Sequence, residues 1–582
     1  MNGYAGQRGA SAGVMPAGLL LLPLFLLLVT GLGCGGPATP GRTAGERPSD
    51  IVRVTPAMPQ AVRDKLLDGA MAVLGRLEDY DEASAFAQVF DRLNQWSHAV
   101  AIDGNAAVDA WTLDPLVDTL PADLRAGATA ESLASSVFDA ANDMPALRDQ
   151  RWLADIVDSA RGDAIDDVEI ARNLFDWTVR SLAIVSDPPM VPTVANPGTR
   201  WFLPGEILLA GRASAAQRAW IFLELLRHAG LDGVMLATGS AADGTLRPWI
   251  PALISGGEAH LFEPAYGMPI PGPAGVGVAT ARQAAADPTI LAAVSLPDRP
   301  YPVKAADIAN LSVLVPGTRE NLARRMHLLD GRLAGRRKID LAVDATALGA
   351  RAVAALPGGA ATGRVLLWEF PWEVHRRRRQ DAPAVAAAAR RDLASLAIVL
   401  EPSGPDGPRR SMRPLYAARL REFRGDRDGP EGAKSAYLLA RPSNAVIAEA
   451  VKRSPPEQAD AVKRLYDGMK QDATYWLGVL TLAEGQFAAA EDYLGRMTLD
   501  AMPDGRWADA ARTNLARAKL ALGDTAAAIA LLRADPSPQR FGSRLLADRL
   551  EKAANKEAGA AAAQGGPFQP ASPPARGGLQ TE

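Results

Sequence analysis

Side chains that could act as nucleophiles or bases are few in this chain of 582 residues. It has one cysteine, Cys34, and five histidines. A thiolate attacks an acyl group when an imidazolium polarises it and a third group orients that imidazole. The histidines are scattered and lack the spacing of metal ligands. They are His98, His228, His260, His327 and His375. We therefore expect no metal and no cofactor.

A serine hydrolase is an alternative, because Ser214 lies near His228 and His260 in the sequence. No Gly-x-Ser-x-Gly motif supports it.

The best candidate for a structured site is the stretch 205–272. Its apolar residues at i, i+3, i+4 and i+7 predict one face of a helix. These are Ala219, Phe222, Leu223 and Leu226. The helix is predicted to begin at Ser214 and to end at Gly230, and a strand over 234–237 follows it. Two further apolar runs, 249–254 and 259–263, flank Gly256-Gly257 and predict a β-hairpin. A helix that leads into an antiparallel sheet is the predicted core.

This order of elements resembles the transglutaminase-like domain, a relative of the papain-type cysteine proteases. In that family a cysteine opens the helix, a histidine lies two residues before a tryptophan on the next strand, and an aspartate follows on the strand after. When the family's Leu-Leu-Arg and Gly are aligned with residues 225–227 and Gly230, its cysteine, histidine and aspartate positions fall on Ala215, Arg247 and Glu263. The resemblance covers residues 160–275, about a fifth of the chain.

The residues at these three positions argue against acyl transfer. Ala215 has no nucleophile, Arg247 cannot serve as a base, and only Glu263 keeps its chemical type. The resemblance therefore implies a pseudoenzyme, in which we expect Arg247 and Glu263 to form an ion pair. The alternative is an acyl-transfer or peptidase-type enzyme that uses other residues of the same cleft.

The N-terminus is predicted to carry a lipoprotein signal peptide over residues 1–33. Its apolar run, 19–29, is shorter than the ~20 residues of a membrane span, which favours a cleaved signal. Gly31-Leu32-Gly33-Cys34 resembles the bacterial lipobox in its last two positions. The resemblance implies a lipid on Cys34 and a place in a bacterial cell envelope, followed by a flexible tether over 34–58. A plain secretory signal is the alternative.

The rest of the chain is predicted to be α+β. Apolar spacing indicates a helical region over 59–150, ahead of the transglutaminase-like domain at 151–300. A separate α/β unit is predicted over 301–405, with strands at 339–343 and 365–370 and helices at 321–333 and 384–396. The run from His375 to Arg379 is interpreted as a solvated loop, with an anion-binding patch as the alternative.

Residues 410–552 are predicted to form helical hairpins that resemble tetratricopeptide repeats. Trp476, Gly478, Gly485, Ala490 and Leu494 fit one repeat. A second copy follows at Ala516, Gly523, Ala528 and Leu532, and a fainter one spans 415–439. The last residues, 553–582, are rich in Ala, Gly, Gln and Pro and are predicted to be disordered.

Charge excludes one class of partner. The net charge is −3, with 22% charged and 48% hydrophobic residues, so nothing favours nucleic acid. The predicted protein is a membrane-anchored, non-catalytic scaffold. It would bind a protein or peptide through 410–552 and a membrane through a lipid on Cys34.

Overall fold

The computed structural model describes residues 58–102, 111–187, 201–240, 244–358, 364–400 and 412–564, with two short strands at 403–404 and 407–408. The predicted signal peptide, Cys34 and the tether up to residue 57 lie outside the described residues. In the part of the chain that is described, no helix is both long and apolar enough to cross a membrane.

Helices make up the first described part of the chain, as the apolar spacing predicts. They are α1 (Gln60–Leu74), α2 (Glu82–Ile102), α3 (Ala122–Arg125), α4 (Ala130–Ala134), α5 (Asp143–Ala160) and α6 (Asp167–Ser181). The carboxylate of Asp166 accepts a hydrogen bond from the backbone N–H of Glu169 at 3.0 Å, which fixes the start of α6. Helix α6 packs directly against the core helix that follows.

The stretch 205–272 folds as its pattern predicts. One short strand, β1 (Ala183–Ile184), precedes this stretch. The elements of the stretch are α7 (Pro204–Ala210), β2 (Arg212–Ala213), α8 (Ala215–His228), β3 (Asp232–Thr238), β4 (Arg247–Ser255), β5 (Glu258–Glu263) and β6 (Met268–Pro269). Gly230 ends α8 with a φ of +74°, and Gly256 and Gly257 turn the hairpin with φ values of +59° and +75°. These are left-handed conformations that glycine adopts without steric cost.

The next part of the chain extends the same sheet. It contains α9 (Ala281–Ala286), α10 (Pro288–Ala292), α11 (Ala305–Ile308), β7 (Ser312–Val315), α12 (Arg319–Leu322), α13 (Arg324–Asp330), α14 (Ala345–Ala355), β8 (Val365–Leu367), α15 (Glu369–Gln380), α16 (Pro383–Ala389), β9 (Ser403–Gly404) and β10 (Gly407–Pro408). The sheet has six strands in the order β6-β5-β4-β3-β7-β8. Its strand pairs are antiparallel except β7 with β8.

Three predictions for residues 301–405 are wrong. The unit is not separate, because β7 and β8 pair into the sheet of β3 to β6. Residues 339–343 form no strand and lie in an irregular segment between a helical turn and α14. The arginine run is the end of helix α15, not a loop, and Arg376 and Arg377 pair with Glu373 one turn earlier.

The C-terminal part is built from helical hairpins. Its helices are α17 (Pro414–Phe423), α18 (Ala433–Leu439), α19 (Asn444–Arg453), α20 (Ala459–Ala483), α21 (Phe487–Glu491), a π-helical turn (Asp492–Leu499), α22 (Ala508–Ala521), α23 (Thr525–Arg533) and α24 (Arg540–Gln564). Gly425, Gly485 and Gly523 turn three of the hairpins with positive φ. The likeness to tetratricopeptide repeats stays a prediction.

Helix α24 corrects the predicted start of the tail. It continues from Arg540 to Gln564, so residues 553–564 are helical. Alanine has the highest helix propensity of the residues, and this segment is rich in alanine.

The core that positions the candidate site lies between α6, α8 and the sheet. Phe175, Phe222 and Phe262 come from these three elements, and their ring centroids are 4.9–5.2 Å apart. Such aromatic contacts each add about 0.5–1.5 kcal/mol beyond the area they bury. They hold the start of α8 and the end of β5 in fixed positions.

Candidate functional site

The start of α8 is held by a reciprocal cap. Ser214 Oγ accepts the backbone N–H of Gln217 at 3.4 Å, and Gln217 Oε1 accepts that of Ser214 at 3.0 Å. Ala215, the predicted nucleophile position, is the first residue of this helix. It presents only a methyl group, so the position can pack but cannot attack a substrate.

Glu263 ends β5 with its side chain turned into the protein. Its Oε1 accepts the backbone N–H of Ala265 at 3.0 Å, and its Oε2 accepts the hydroxyl of Tyr301 at 2.5 Å. The Tyr301 hydroxyl in turn accepts the indole N–H of Trp249 at 2.9 Å. Burial raises the pKa of Glu263 from 4.5 to about 7, although both of its hydrogen bonds favour the charged form.

The predicted ion pair between Arg247 and Glu263 does not form. Arg247 is exposed at the start of β4, where its guanidinium donates to the carbonyls of Gly244 at 3.1 Å and Leu246 at 2.8 Å. Glu263 is buried and already has two other donors. The prediction failed because a partner for Glu263 comes from Tyr301, outside the resembling stretch.

Arg218 is a buried cation one helical turn beyond Ala215. It donates to the carbonyls of Leu182 at 2.6 Å and Pro264 at 3.1 Å, and to Gln539 Oε1 at 2.7 Å. Leu182 lies at the C-terminal end of α6, where the helix dipole favours a positive charge. Burial lowers the pKa of Arg218 to about 9, which leaves the guanidinium charged at neutral pH.

The segment before and at the start of α24 covers this part of the core. A Cβ added to Gly542 would lie 1.9 Å from the carbonyl oxygen of Tyr266, so the two backbones are in direct contact. The ring of Phe541 lies 6.5 Å from that of Tyr266 and under the guanidinium of Arg299 at 4.0 Å. The start of α24 is therefore seated on the turn that follows Glu263.

The polar side chains described above have almost no contact with solvent. The exposed fractions are 0% for Ser214, 2% for Arg218, 7% for Glu263 and 5% for Tyr301. A raised carboxyl pKa often marks a catalytic acid, but here the carboxyl group is bonded on both oxygens by the protein itself. The arrangement joins α6, α8, β5 and α24, and its chemistry is that of a structural junction.

Sequence reasoning identified Glu263 but missed Tyr301, Arg218 and Gln539. A signal for Arg218 was present, since it directly precedes the largely apolar run from Ala219 to Leu226, which only Glu224 interrupts. Nothing local pointed to Gln539, which is 321 residues from Arg218. Within the described residues, no group of three or more His, Cys, Asp or Glu side chains is placed to hold a metal ion.

Comparisons of the chain with family models, with curated proteins and with solved structures give no match.

Proposed function

We propose that the protein is a membrane-anchored scaffold that binds a protein or peptide partner and turns over no substrate. The supporting observation is the state of the residues at and near the predicted catalytic positions. Ala215 offers only a methyl group, and Arg218, Glu263 and Tyr301 are bonded to other groups of the protein and are at most 7% exposed. Acyl transfer requires a nucleophile and a base that a substrate can reach.

Partner binding is assigned to the C-terminal hairpins. Helices α18 and α19 and the turn after α22 carry large apolar side chains that remain open to solvent, with exposed fractions of 48% for Leu438, 47% for Val446 and 45% for Leu522. Helical hairpins that stack side by side offer extended surfaces on which peptides and helices dock without chemistry. The membrane anchor in this proposal is a lipid on Cys34.

Photo-crosslinking in native membranes tests partner binding by the hairpins, and fractionation of a Cys34 variant tests the lipid anchor. A photo-reactive amino acid would be introduced at Val446, at Leu522 or, as a control, at Ile165, which is 90% exposed but lies between α5 and α6. The expected result is one and the same partner at Val446 and Leu522, and none at Ile165. Cys34→Ser is expected to move the protein to the soluble fraction.

Three results would contradict the proposal. Equal capture of the partner at Ile165 would contradict the assignment of partner binding to the hairpins. Retention of Cys34→Ser in the membrane would contradict the lipid anchor. An acyl-transfer or peptidase product formed by the purified protein, and lost in Glu263→Gln, would favour the enzyme alternative instead.

A further inference from the structure

A largely exposed loop, residues 296–302, connects the buried carboxyl group of Glu263 with helix α24, and we refer to it as the strap. Only Leu296 and Tyr301 of the strap are buried. The hydroxyl of Tyr301 donates to Glu263 Oε2 at 2.5 Å and accepts the indole N–H of Trp249 at 2.9 Å. One attachment of the strap to the core is therefore a hydrogen bond to a group that can ionise.

The strap also contacts the start of α24. Asp298 accepts two hydrogen bonds from the guanidinium of Arg544, at 2.8 and 2.9 Å. The guanidinium of Arg299 lies 4.0 Å from the centre of the Phe541 ring. An exposed ion pair and a cation over an aromatic ring are each weak, but both join the same loop to the same end of the helix.

Few backbone hydrogen bonds oppose the lifting of the strap. Three of its residues lack a backbone N–H, namely Pro297, Pro300 and Pro302. The N–H groups of Leu296 and Arg299 donate to each other's carbonyls inside the strap, and that of Tyr301 donates to the hydroxyl of Ser295 at 3.0 Å. Exposed segments with so few backbone bonds to the core open at a low free energy.

The surroundings of Glu263 favour its neutral form. Its two donors, the N–H of Ala265 and the hydroxyl of Tyr301, carry no charge. An ionised carboxyl group that is buried without a cation is unfavourable. Burial raises its pKa to about 7, so the group is mostly neutral at pH 6 and mostly ionised at pH 8.

No cation among the described residues bonds this carboxyl group. Arg218 of α8 and Arg247 of β4 donate to backbone carbonyls, and Arg299 of the strap lies on an aromatic ring of α24. The other titratable groups beside it are the hydroxyls of Tyr266 and Tyr301. Burial raises the pKa of both, so both stay uncharged when Glu263 ionises.

We propose that the strap holds the start of α24 on the core while Glu263 is neutral, and that ionisation of Glu263 lifts the strap and releases the start of the helix. Lifting withdraws Tyr301 and admits water to the carboxylate. The same movement separates Asp298 and Arg299 from α24. The attachment of the C-terminal helix thus depends on pH, and this proposal does not depend on the scaffold function.

Hydrogen exchange of the full chain at pH 6 and pH 8 tests the strap. Rates are converted to protection factors, which removes the effect of pH on the intrinsic rate. Residues 541–547 should be less protected than 219–226 of α8 at both pH values, because they exchange through a local opening. Their protection should fall about tenfold from pH 6 to pH 8, as linkage requires for a pKa of about 7 when closed and 4.5 when open.

Two variants separate the carboxyl group from the contacts of the strap. In Glu263→Gln, residues 541–547 should be equally protected at the two pH values, because glutamine does not ionise. Arg299→Gln combined with Arg544→Gln removes the contacts with α24 and should lower the protection about tenfold already at pH 6. Arg533→Gln is the matched control, since Arg533 joins α23 to a later part of α24 and should leave the protection unchanged.

Four results overturn the proposal. If residues 541–547 are as well protected as 219–226, they exchange only when the whole chain unfolds. The other three are a protection that stays the same from pH 6 to pH 8, a fall of equal size in Glu263→Gln, and a double variant that protects the start of α24 as well as Arg533→Gln does.

Discussion

At the scale of single residues, Glu263 is the group whose charge the fold opposes. Its pKa lies near 7 in the folded protein and near 4.5 when exposed, so the folded state binds a proton more tightly. Its contribution to stability is complete below pH 4.5 and is lost as the pH rises through about 7. The difference of pKa, about 2.5 units, corresponds to at most ~3.4 kcal/mol at 1.36 kcal/mol for each unit.

Glu263→Gln should remove this dependence. Glutamine keeps an acceptor for Tyr301 but carries no charge, so the variant should gain stability relative to wild type between pH 5 and pH 8. The measurement is chemical denaturation at both pH values. Glu258→Gln is the control on the same strand, where Glu258 pairs with Arg282 near the surface. An equal difference between Glu263→Gln and wild type at the two pH values would show that the carboxyl group is not held protonated.

At the scale of elements, the contact between α24 and the turn after β5 depends on a missing side chain. A Cβ at position 542 would meet the carbonyl oxygen of Tyr266 at 1.9 Å, whereas a Cβ at Gly468 in α20 would meet nothing within 4 Å. Gly542→Ala should therefore lower the free energy of unfolding by about 1–3 kcal/mol through overpacking. Gly468→Ala should raise it by about 0.5–1 kcal/mol, because alanine favours the helix.

Thermal unfolding of the two glycine variants beside wild type checks this prediction. The pair separates packing from helix propensity, since both substitutions add the same methyl group to a helix. If Gly542→Ala is as stable as Gly468→Ala, α24 is not seated on the turn as described.

The same elements show what the sequence could predict. Gly230 and Gly256-Gly257 mark turns that can be recognised locally, and the helix before Gly230 and the hairpin around Gly256-Gly257 formed where expected. By contrast, β7 pairs with β3 although the two strands are far apart in the chain. Likewise, the hydroxyl that donates to Glu263 belongs to Tyr301, 38 residues further on. Long-range partners are chosen by packing, which leaves no periodic signal in either segment.

At the scale of the whole molecule, the hairpins and the sheet form one structure. A Cβ on Gly211, between α7 and β2, would lie 2.1 Å from the ring of Trp476 in α20. Arg419 of α17 donates to the carbonyl of Leu208 at 2.8 Å, and its guanidinium lies 3.6 Å from the Trp476 ring. Asn514 of α22 donates to the carbonyl of Arg180 at 3.0 Å. The described residues accordingly belong to one compact unit.

A chain that ends after residue 409 should therefore fail to fold cooperatively. It would expose the parts of α6 and α7 that Asn514 and Arg419 contact and the turn at Gly211 under Trp476, and it would remove Gln539 from Arg218. The loss of the apolar contacts between the hairpins and the sheet domain costs several kcal/mol, comparable with the whole stability of a domain. A chain that ends after residue 556 should unfold as the full chain does, because residues 551–556 of α24 are exposed. Denaturation followed by circular dichroism compares the two. A sharp transition of the shorter chain near the midpoint of the full chain would mean that the sheet folds alone, and deleting the hairpins would then become a clean way to test where a partner binds.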